Sequence, residues 1–447
     1  MRAKPIRSKV SFDRNTSVWA TDQPPANTAL KNNLEVDVAV IGGGNTGLSA
    51  AYHIKKRFPE RSVAILEARG IGQGASGRNG GMLLPQPGNE YLMIYNPDTH
   101  KLTYDVTVET VNEVTGLMEA HGFASGFKFD GSLKTIRNKG QISKSKEYVS
   151  KAVDMGMPIE YWERERVVNE LGTKAYYCGI FEPNAAEINP MKMVHALKTA
   201  AESAGVQIYE NSPVYAVQPG ETIHLTVGDD HAAPLQVAAK ALVLGTNGYS
   251  PVNGFLKNKI FTLHTEMAAT RMVPDTVFDE IGWRNRLTFH DDNTFLYHVG
   301  STVDNRILIG AGNAEYFLGN NPVYQVGLEK RGRRLFAELT RLWPKLENSS
   351  FEYLWSGVLS AAVDLAPSVG TIGPEKNIFF GAGFAGHGVN FSYLSGKVIG
   401  DLYAGDDERW SRMPFANRNH FPIPPEPFRW LGIKSYLGFL RVGDYFK

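Results

Sequence analysis

The feature that most constrains this chain is Gly42-Gly43-Gly44-Asn45-Thr46-Gly47. It lies between an apolar, β-branched run, Val36-Asp37-Val38-Ala39-Val40-Ile41, and the helically spaced Leu48-Ser49-Ala50-Ala51-Tyr52-His53-Ile54. In G-x-G-x-x-G spacing the three glycines act differently. Gly42 permits the tight turn, Gly44 lets a pyrophosphate approach the backbone, and Gly47 lets the helix pack closely on the strand. Asn45 and Thr46 open that helix, whose N-terminus favours phosphate. A second strand, Ser62-Val63-Ala64-Ile65-Leu66-Glu67, places the carboxylate of Glu67, with Ala68 beside it, about 20 residues on, where it can accept ribose hydroxyls. These segments predict one βαβ dinucleotide-binding unit.

Two further glycine clusters extend the pattern. Ile71-Gly72-Gln73-Gly74-Ala75-Ser76-Gly77-Arg78-Asn79-Gly80-Gly81-Met82 sets five glycines around Ser76, Arg78 and Asn79. Its amides and one guanidinium can brace a second phosphate and approach a flat ring, the bland alternative being a flexible surface loop. Phe379-Phe380-Gly381-Ala382-Gly383-Phe384-Ala385-Gly386-His387-Gly388-Val389-Asn390 again runs from strand to helix. Amides at such a helix start stabilise negative charge, as a reduced flavin develops near N1 and O2. His387 reads equally as a flavin-side residue and as a capping or core histidine.

The sequence resembles the FAD-dependent amine and D-amino-acid oxidoreductases, the family of sarcosine oxidase, glycine oxidase and γ-glutamylputrescine oxidoreductase. The resemblance rests on the fingerprint through Glu67, on Gly74-Ala75-Ser76-Gly77-Arg78-Asn79-Gly80-Gly81, on Leu244-Gly245-Thr246-Asn247-Gly248, and on Gly383-Phe384-Ala385-Gly386-His387-Gly388. It covers about residues 17 to 405, and Ser17-Val18-Trp19 with Trp355-Ser356-Gly357 through Asp364-Leu365-Ala366-Pro367 is most similar to the γ-glutamylputrescine branch. It implies that a strand near Val214 touches adenine, that Thr246 and Asn247 lie by the dinucleotide, and that Gly386, His387, Gly388 and Val389 border the flavin. The implied cofactor is FAD, non-covalently held, since Cys178 lies in none of the flavin motifs. One departure concerns Asn390, which stands where sarcosine oxidases have a lysine that grips the substrate carboxylate. Another is Ala269-Thr270-Arg271-Met272-Val273 in place of Ala-Thr-Glu-Pro-Leu.

Composition narrows the partners. With 47 Lys and Arg against 46 Asp and Glu, the chain has no net field to gather nucleic acid, which leaves a small molecule as the partner. The single cysteine excludes an intrachain disulfide, a cysteine zinc site and an iron–sulfur cluster, and fits a reducing, cytoplasmic setting. The basic N-terminus lacks the apolar stretch of a signal peptide. The tail Pro427 to Arg441 mixes aromatic and basic residues as an interfacial helix does, but its glycines favour packing on the protein over peripheral membrane contact.

At 447 residues two structural domains are expected. The fold class is an α/β FAD-binding Rossmann-like domain of glutathione-reductase type plus an α+β substrate domain with a largely antiparallel sheet. Residues 1–34 form a polar leader; 35–85, 183–258 and 350–410 form the FAD domain; 86–182 and 259–349 form the substrate domain; 411–447 form the aromatic and basic tail. Substrate-pocket candidates, chosen by position in these segments, are Met82, His264, Glu266, Tyr297, Trp355 and His387.

The expected reaction is oxidation of a C–N bond in a small amine or amino acid, with hydride passing to flavin N5 and the imine hydrolysed by water. Oxygen or another acceptor then takes the electrons. The alternatives are a flavoenzyme acting on a hydroxy acid and an FAD-binding assembly subunit without turnover of its own.

Overall fold

The computed structural model describes residues 6–7, 16–21, 25–85, 96–228, 234–251, 253–322 and 327–446. Its first sheet has five parallel strands in the spatial order Gln207–Tyr209, Val63–Leu66, Leu34–Ile41, Leu235–Leu244 and Ile378–Ala382. The alternation in Leu34–Ile41 explains why it is central. Val38 and Val40 enter the core beneath the helices, while Ala39 and Ile41 enter a second core on the opposite face. The hairpin Val214–Gln218 and Ile223–Val227 continues the sheet antiparallel to Leu235–Leu244, and Ser368–Ile372 closes the other side against Ile378–Ala382.

Small residues let the helices approach. Helices Asn45–Arg57 and Gly388–Tyr403 pack so closely that a Cβ on Gly396 would fall 2.4 Å from the Ala50 nitrogen, and Ser49 Oγ donates to the Tyr393 carbonyl at 2.7 Å. A long helix spans Pro97–Ala120. Asn96 caps it by accepting from the Thr99 amide, and Pro97 occupies its first turn.

The second sheet runs Phe351–Ala361, Phe261–Thr270, Ile307–Ala311, Tyr297–Ser301, Phe289–Asp291, Ser132–Ile136, Cys178–Glu182 and Glu160–Glu163. Its pairs are antiparallel except Phe289–Asp291 with Ser132–Ile136. Its outer face packs on helix Leu328–Leu342 through a core containing Trp283, Phe289, Leu335 and Trp343. Residues 350–361, assigned from sequence to the FAD domain, instead pair with Phe261–Thr270 along its whole length. A run of apolar and small residues does not reveal which of two sheets it will join. Asn293–Leu296 is a loop; the Asp291 carboxylate accepts the Asn293 and Tyr297 amides, and the strand starts at Tyr297.

The leader differs from expectation, whereas the tail packs on the protein as expected. Part of the leader is internal: Val18 and Trp19 are buried, Ser17 Oγ donates to the Gly77 carbonyl at 2.8 Å, and the Trp19 indole donates to the Asn79 carbonyl at 2.9 Å. The tail forms helix Phe428–Phe446, with Ile433 and Leu437 buried against the second sheet. No helix among the described residues is long and apolar enough to cross a membrane.

Candidate active site

A single cavity of 1520 Å³ connects the ends of the first sheet to the inner face of the second. That exceeds the roughly 300–1,000 Å³ of a pocket for one small ligand, so it has room for a dinucleotide and a substrate together.

At one end lie Gly42, Gly44, Asn45, Thr46, Glu67 and Ala68. Gly42 has φ +99°, a conformation that other residues rarely adopt. A Cβ on Gly44 would stand 2.8 Å from Ser76 Oγ, which accepts the Asn45 amide at 2.9 Å and so clamps the second glycine loop onto the helix N-terminus. Gly47 does not line the cavity; a Cβ there would be 2.0 Å from the Gly42 carbonyl oxygen, so its role is packing. Glu67 accepts the amides of Gly43 at 2.7 Å and Arg69 at 2.9 Å. Burial raises its pKa, and those two amides pull it back down. This bare turn, fixed carboxylate and open helix start fit an adenosine diphosphate moiety. Val214 lines the cavity at the hairpin, as do Thr246 and Asn247.

The second and third glycine clusters face each other across the middle. Ser76, Arg78, Asn79, Gly80 and Met82 line it from one side; Gly386, His387, Gly388, Val389 and Asn390 line it from the other. Gly81 and Gly383 do not. Each has positive φ, at +75° and +79°, and each serves its turn; a Cβ on Gly81 would meet the Ile188 carbonyl oxygen at 2.2 Å. Asn390 is buried, and its amide nitrogen is spent on the carbonyls of Leu84 at 3.1 Å and Thr107 at 2.8 Å.

The other end of the cavity is built by a row of directly paired residues across six strands: Lys134 with His290, His290 with His298, His298 with Gly310, Gly310 with Met267, and Met267 with Trp355. Paired residues share a sheet face. Gly310 makes the row possible, because a Cβ there would collide with Met267 Sδ at 2.0 Å and His298 Cε1 at 2.5 Å. His298 also lies against Gly80 of the second glycine cluster. Burial lowers the pKa of His298 to about 4 and that of His290 to about 3, the latter helped by the charge of Lys134. His387 is exposed to the cavity but enclosed by protein beyond it, which lowers its pKa, with Lys134 again adding. All three are therefore neutral at pH 7. Among the described residues no group of three or more His, Cys, Asp or Glu side chains is placed to hold a metal ion.

The tail helix closes this end with Tyr436, Leu437 and Leu440. Arg441 fixes it by donating to Asn313 Oδ1 and the Ala314 carbonyl, both at 2.8 Å, and Asp444 by accepting the amides of Thr294 and Phe295.

Of the pocket candidates, Met82 and His387 line the cavity and four do not. In Phe261–Thr270 the inward residues are Phe261, Leu263, Thr265 and Met267, so His264 and Glu266 point outward. His264 Nε2 bonds to the Asn321 carbonyl at 2.9 Å, and Glu266 pairs with Arg331 at 3.0 Å. A strand alternates faces, and choosing the wrong parity inverts every assignment. Tyr297 packs outside the cavity against Gly312 and Arg137. Trp355 is on the inner face but lies fully buried under the second glycine cluster, its indole donating to the Arg78 carbonyl. Sequence reasoning misses Lys134, His290, His298 and the tail helix, because they become neighbours only through strand pairing and tail docking.

The chain matches the model of the DAO family, described as FAD dependent oxidoreductase, over residues 37–402. It is 26% identical over 425 residues to the gamma-glutamylputrescine oxidoreductase of Escherichia coli, covering 93% of this chain and 95% of that protein. It is 26% identical over 388 residues to the probable oxidoreductase OrdL of Haemophilus influenzae, covering 84% of each. Among solved structures, glycine oxidase from Geobacillus kaustophilus superposes with a TM-score of 0.72 at 20% identity, over 87% of this chain and 100% of that one.

Proposed function

This chain belongs to the DAO family of FAD-dependent oxidoreductases, and from that premise we propose that it oxidises a C–N bond in an elongated amine or amino acid. The observation that carries this reading is continuity: one cavity runs from Glu67 past His387 to the histidine-bearing face of the second sheet. FAD, when bound, supplies the acceptor for the hydride leaving the substrate carbon.

The chain's own residues prepare the substrate. The enclosure that holds His290, His298 and His387 neutral lowers the pKa of a bound amine in the same way, and the positive charge of Lys134 acts in the same direction. A neutral amine has the lone pair that drives loss of hydride from its α-carbon. No side chain has to remove a proton in that step, in accord with a wall of neutral histidines. The resulting imine is hydrolysed by water to a carbonyl compound and ammonia, or an amine where the substrate nitrogen is secondary. The tail helix, through Tyr436 and Leu440, keeps bulk water from the open end.

Anaerobic mixing of the FAD-loaded enzyme with panels of amines, amino acids and hydroxy acids tests this. Amines or amino acids are expected to bleach the flavin absorbance. Bleaching by hydroxy acids alone would replace the reading, and no bleaching by any panel member would favour a protein without turnover.

A further inference from the structure

We infer that the cavity wall formed by Ser132–Ile136 and Cys178–Glu182 is a two-charge recognition site, in which Lys134 takes a substrate carboxylate close to the reacting end and Glu182 takes a cationic group at the far end of a flexible chain. The inference rests on the amine-oxidation reading only for which end reacts.

The register places the two groups. Ser132 pairs with Glu182 and Lys134 with Ile180, so all four share one sheet face, and all four line the cavity. Lys134 and Glu182 are thus diagonal neighbours, with backbones roughly 7–8 Å apart, yet they form no ion pair with each other. Lys134 makes no side-chain hydrogen bond or ion pair among the described residues; it pairs across the strands with His290, and its charge helps lower the pKa of both His290 and His387, all three lining the cavity. Glu182 is held in place without a cation: Tyr104 Oη donates at 3.0 Å to each carboxylate oxygen, and the Asn184 amide donates to Oε1 at 2.8 Å. Asn184 Nδ2 in turn donates to Tyr104 Oη at 3.0 Å. The carboxylate is therefore oriented by neutral donors and pairs with no cation among the described residues; burial raises its pKa, the hydrogen bonds from Asn184 and Tyr104 pull it back down, and a cationic ligand would favour its ionised form.

Enclosed charges without partners are costly unless a ligand supplies the partner. Here one charge of each sign faces the same space. Between them Ile180, with Met157, Ile159 and Tyr148, gives an apolar wall suited to methylene groups. A substrate with a carboxylate, a short polymethylene chain and a terminal ammonium satisfies all three features at once. Lys134 then does from the sheet what Asn390, whose amide nitrogen is engaged by Leu84 and Thr107, does not do from its helix.

The test is isothermal titration calorimetry on the FAD-loaded protein with three probes that lack an oxidisable amine. These are a carboxylate joined by a polymethylene chain to a trimethylammonium group, the same chain with only the carboxylate, and the same chain with only the trimethylammonium. The doubly charged probe is expected to bind at least tenfold more tightly than either singly charged one. Lys134→Met should erase its advantage over the cationic probe, Glu182→Gln its advantage over the anionic probe, and Lys134→Arg should keep both. Equal binding of the three probes by the unaltered protein, absence of binding by all three, or unchanged preferences in both charge-removing variants would overturn the inference. Because no turnover is measured, a failure here is distinct from a failure of flavin bleaching by amines.

Discussion

The Trp355 indole N–H donates to the backbone carbonyl of Arg78 at 2.9 Å, and Arg78 Nη1 donates in return to the Ser356 carbonyl at 2.9 Å. Residues 277 positions apart, in the case of Trp355 and Arg78, are thus tied reciprocally, and the second sheet holds the second glycine cluster. Trp19 and Ser17 fasten the same cluster from the leader side, at Asn79 and Gly77. Trp355→Phe keeps most of the buried ring but leaves the Arg78 carbonyl without its indole donor. It should cost about 1–3 kcal/mol of stability and weaken FAD retention, measured by denaturant unfolding and by flavin release on dilution. Unchanged retention would mean that the loop keeps its shape without this bond.

Gly44 is the sharpest steric test of the dinucleotide end. A Cβ there would fall 2.8 Å from Ser76 Oγ, in the space a pyrophosphate needs. Gly44→Val should give folded, colourless protein, checked by the flavin-to-protein absorbance ratio alongside circular dichroism.

The FAD is expected to be held without a covalent bond. Cys178 is buried in the strand Cys178–Glu182 and does not line the cavity. Acid precipitation should therefore release all the yellow colour into the supernatant. Colour retained in the pellet would identify a covalent link, with His387 as the first residue to replace.

The buried histidines set a pH dependence. The folded-state pKa of His298, about 4, lies below its ordinary value of 6.5, so the unfolded chain binds more protons between those limits. Its contribution to stability is complete above pH 6.5 and is lost as pH falls toward 4. His298→Gln should reduce the slope of unfolding free energy against pH in that window by up to about one proton. The comparison with the unaltered protein matters, because Asp291, raised to about 6 by burial, contributes the opposite slope there. Identical slopes in the two proteins would contradict the assignment.

Substrate length should matter. Sarcosine, glycine and D-alanine carry a carboxylate for Lys134 but no chain that reaches the distal wall, so they leave Glu182 without a cationic partner. Steady-state turnover with one electron acceptor should rank all three well below elongated amines such as γ-glutamylputrescine, by tenfold or more in kcat/KM. Highest specificity for glycine or sarcosine would sink the elongated-substrate reading.

The glycine clusters are legible because their demands are local. Gly42, Gly44 and Gly47 follow a fixed spacing between a strand and a helix, and Glu67 follows at a set distance, so the chemistry of a dinucleotide cradle is written in consecutive residues. His387 and Met82 can be picked out for the same reason, since each sits inside such a cluster. The departure at Asn390 is also visible, though not that its amide nitrogen binds Leu84 and Thr107.

The sequence by itself determined the two-domain α/β class, the cofactor and its glycine-rich cradle, because close backbone approach to a phosphate or a flat ring restricts residue type at each position. Tertiary structure alone decided which residues form the cavity wall on the second sheet. Whether Glu266 or Met267 faces the cavity depends on the parity of one strand, and parity is set by pairing with Ile307–Ala311 and Phe351–Ala361. Lys134, His290 and His298 become a row only when Ser132–Ile136 aligns with two neighbouring strands more than 150 residues further on, Phe289–Asp291 and Tyr297–Ser301. The tail helix closes that row because Arg441 and Asp444 find partners in loops that sequence order does not bring near. Long-range register, unlike a glycine turn, is a property of the folded whole.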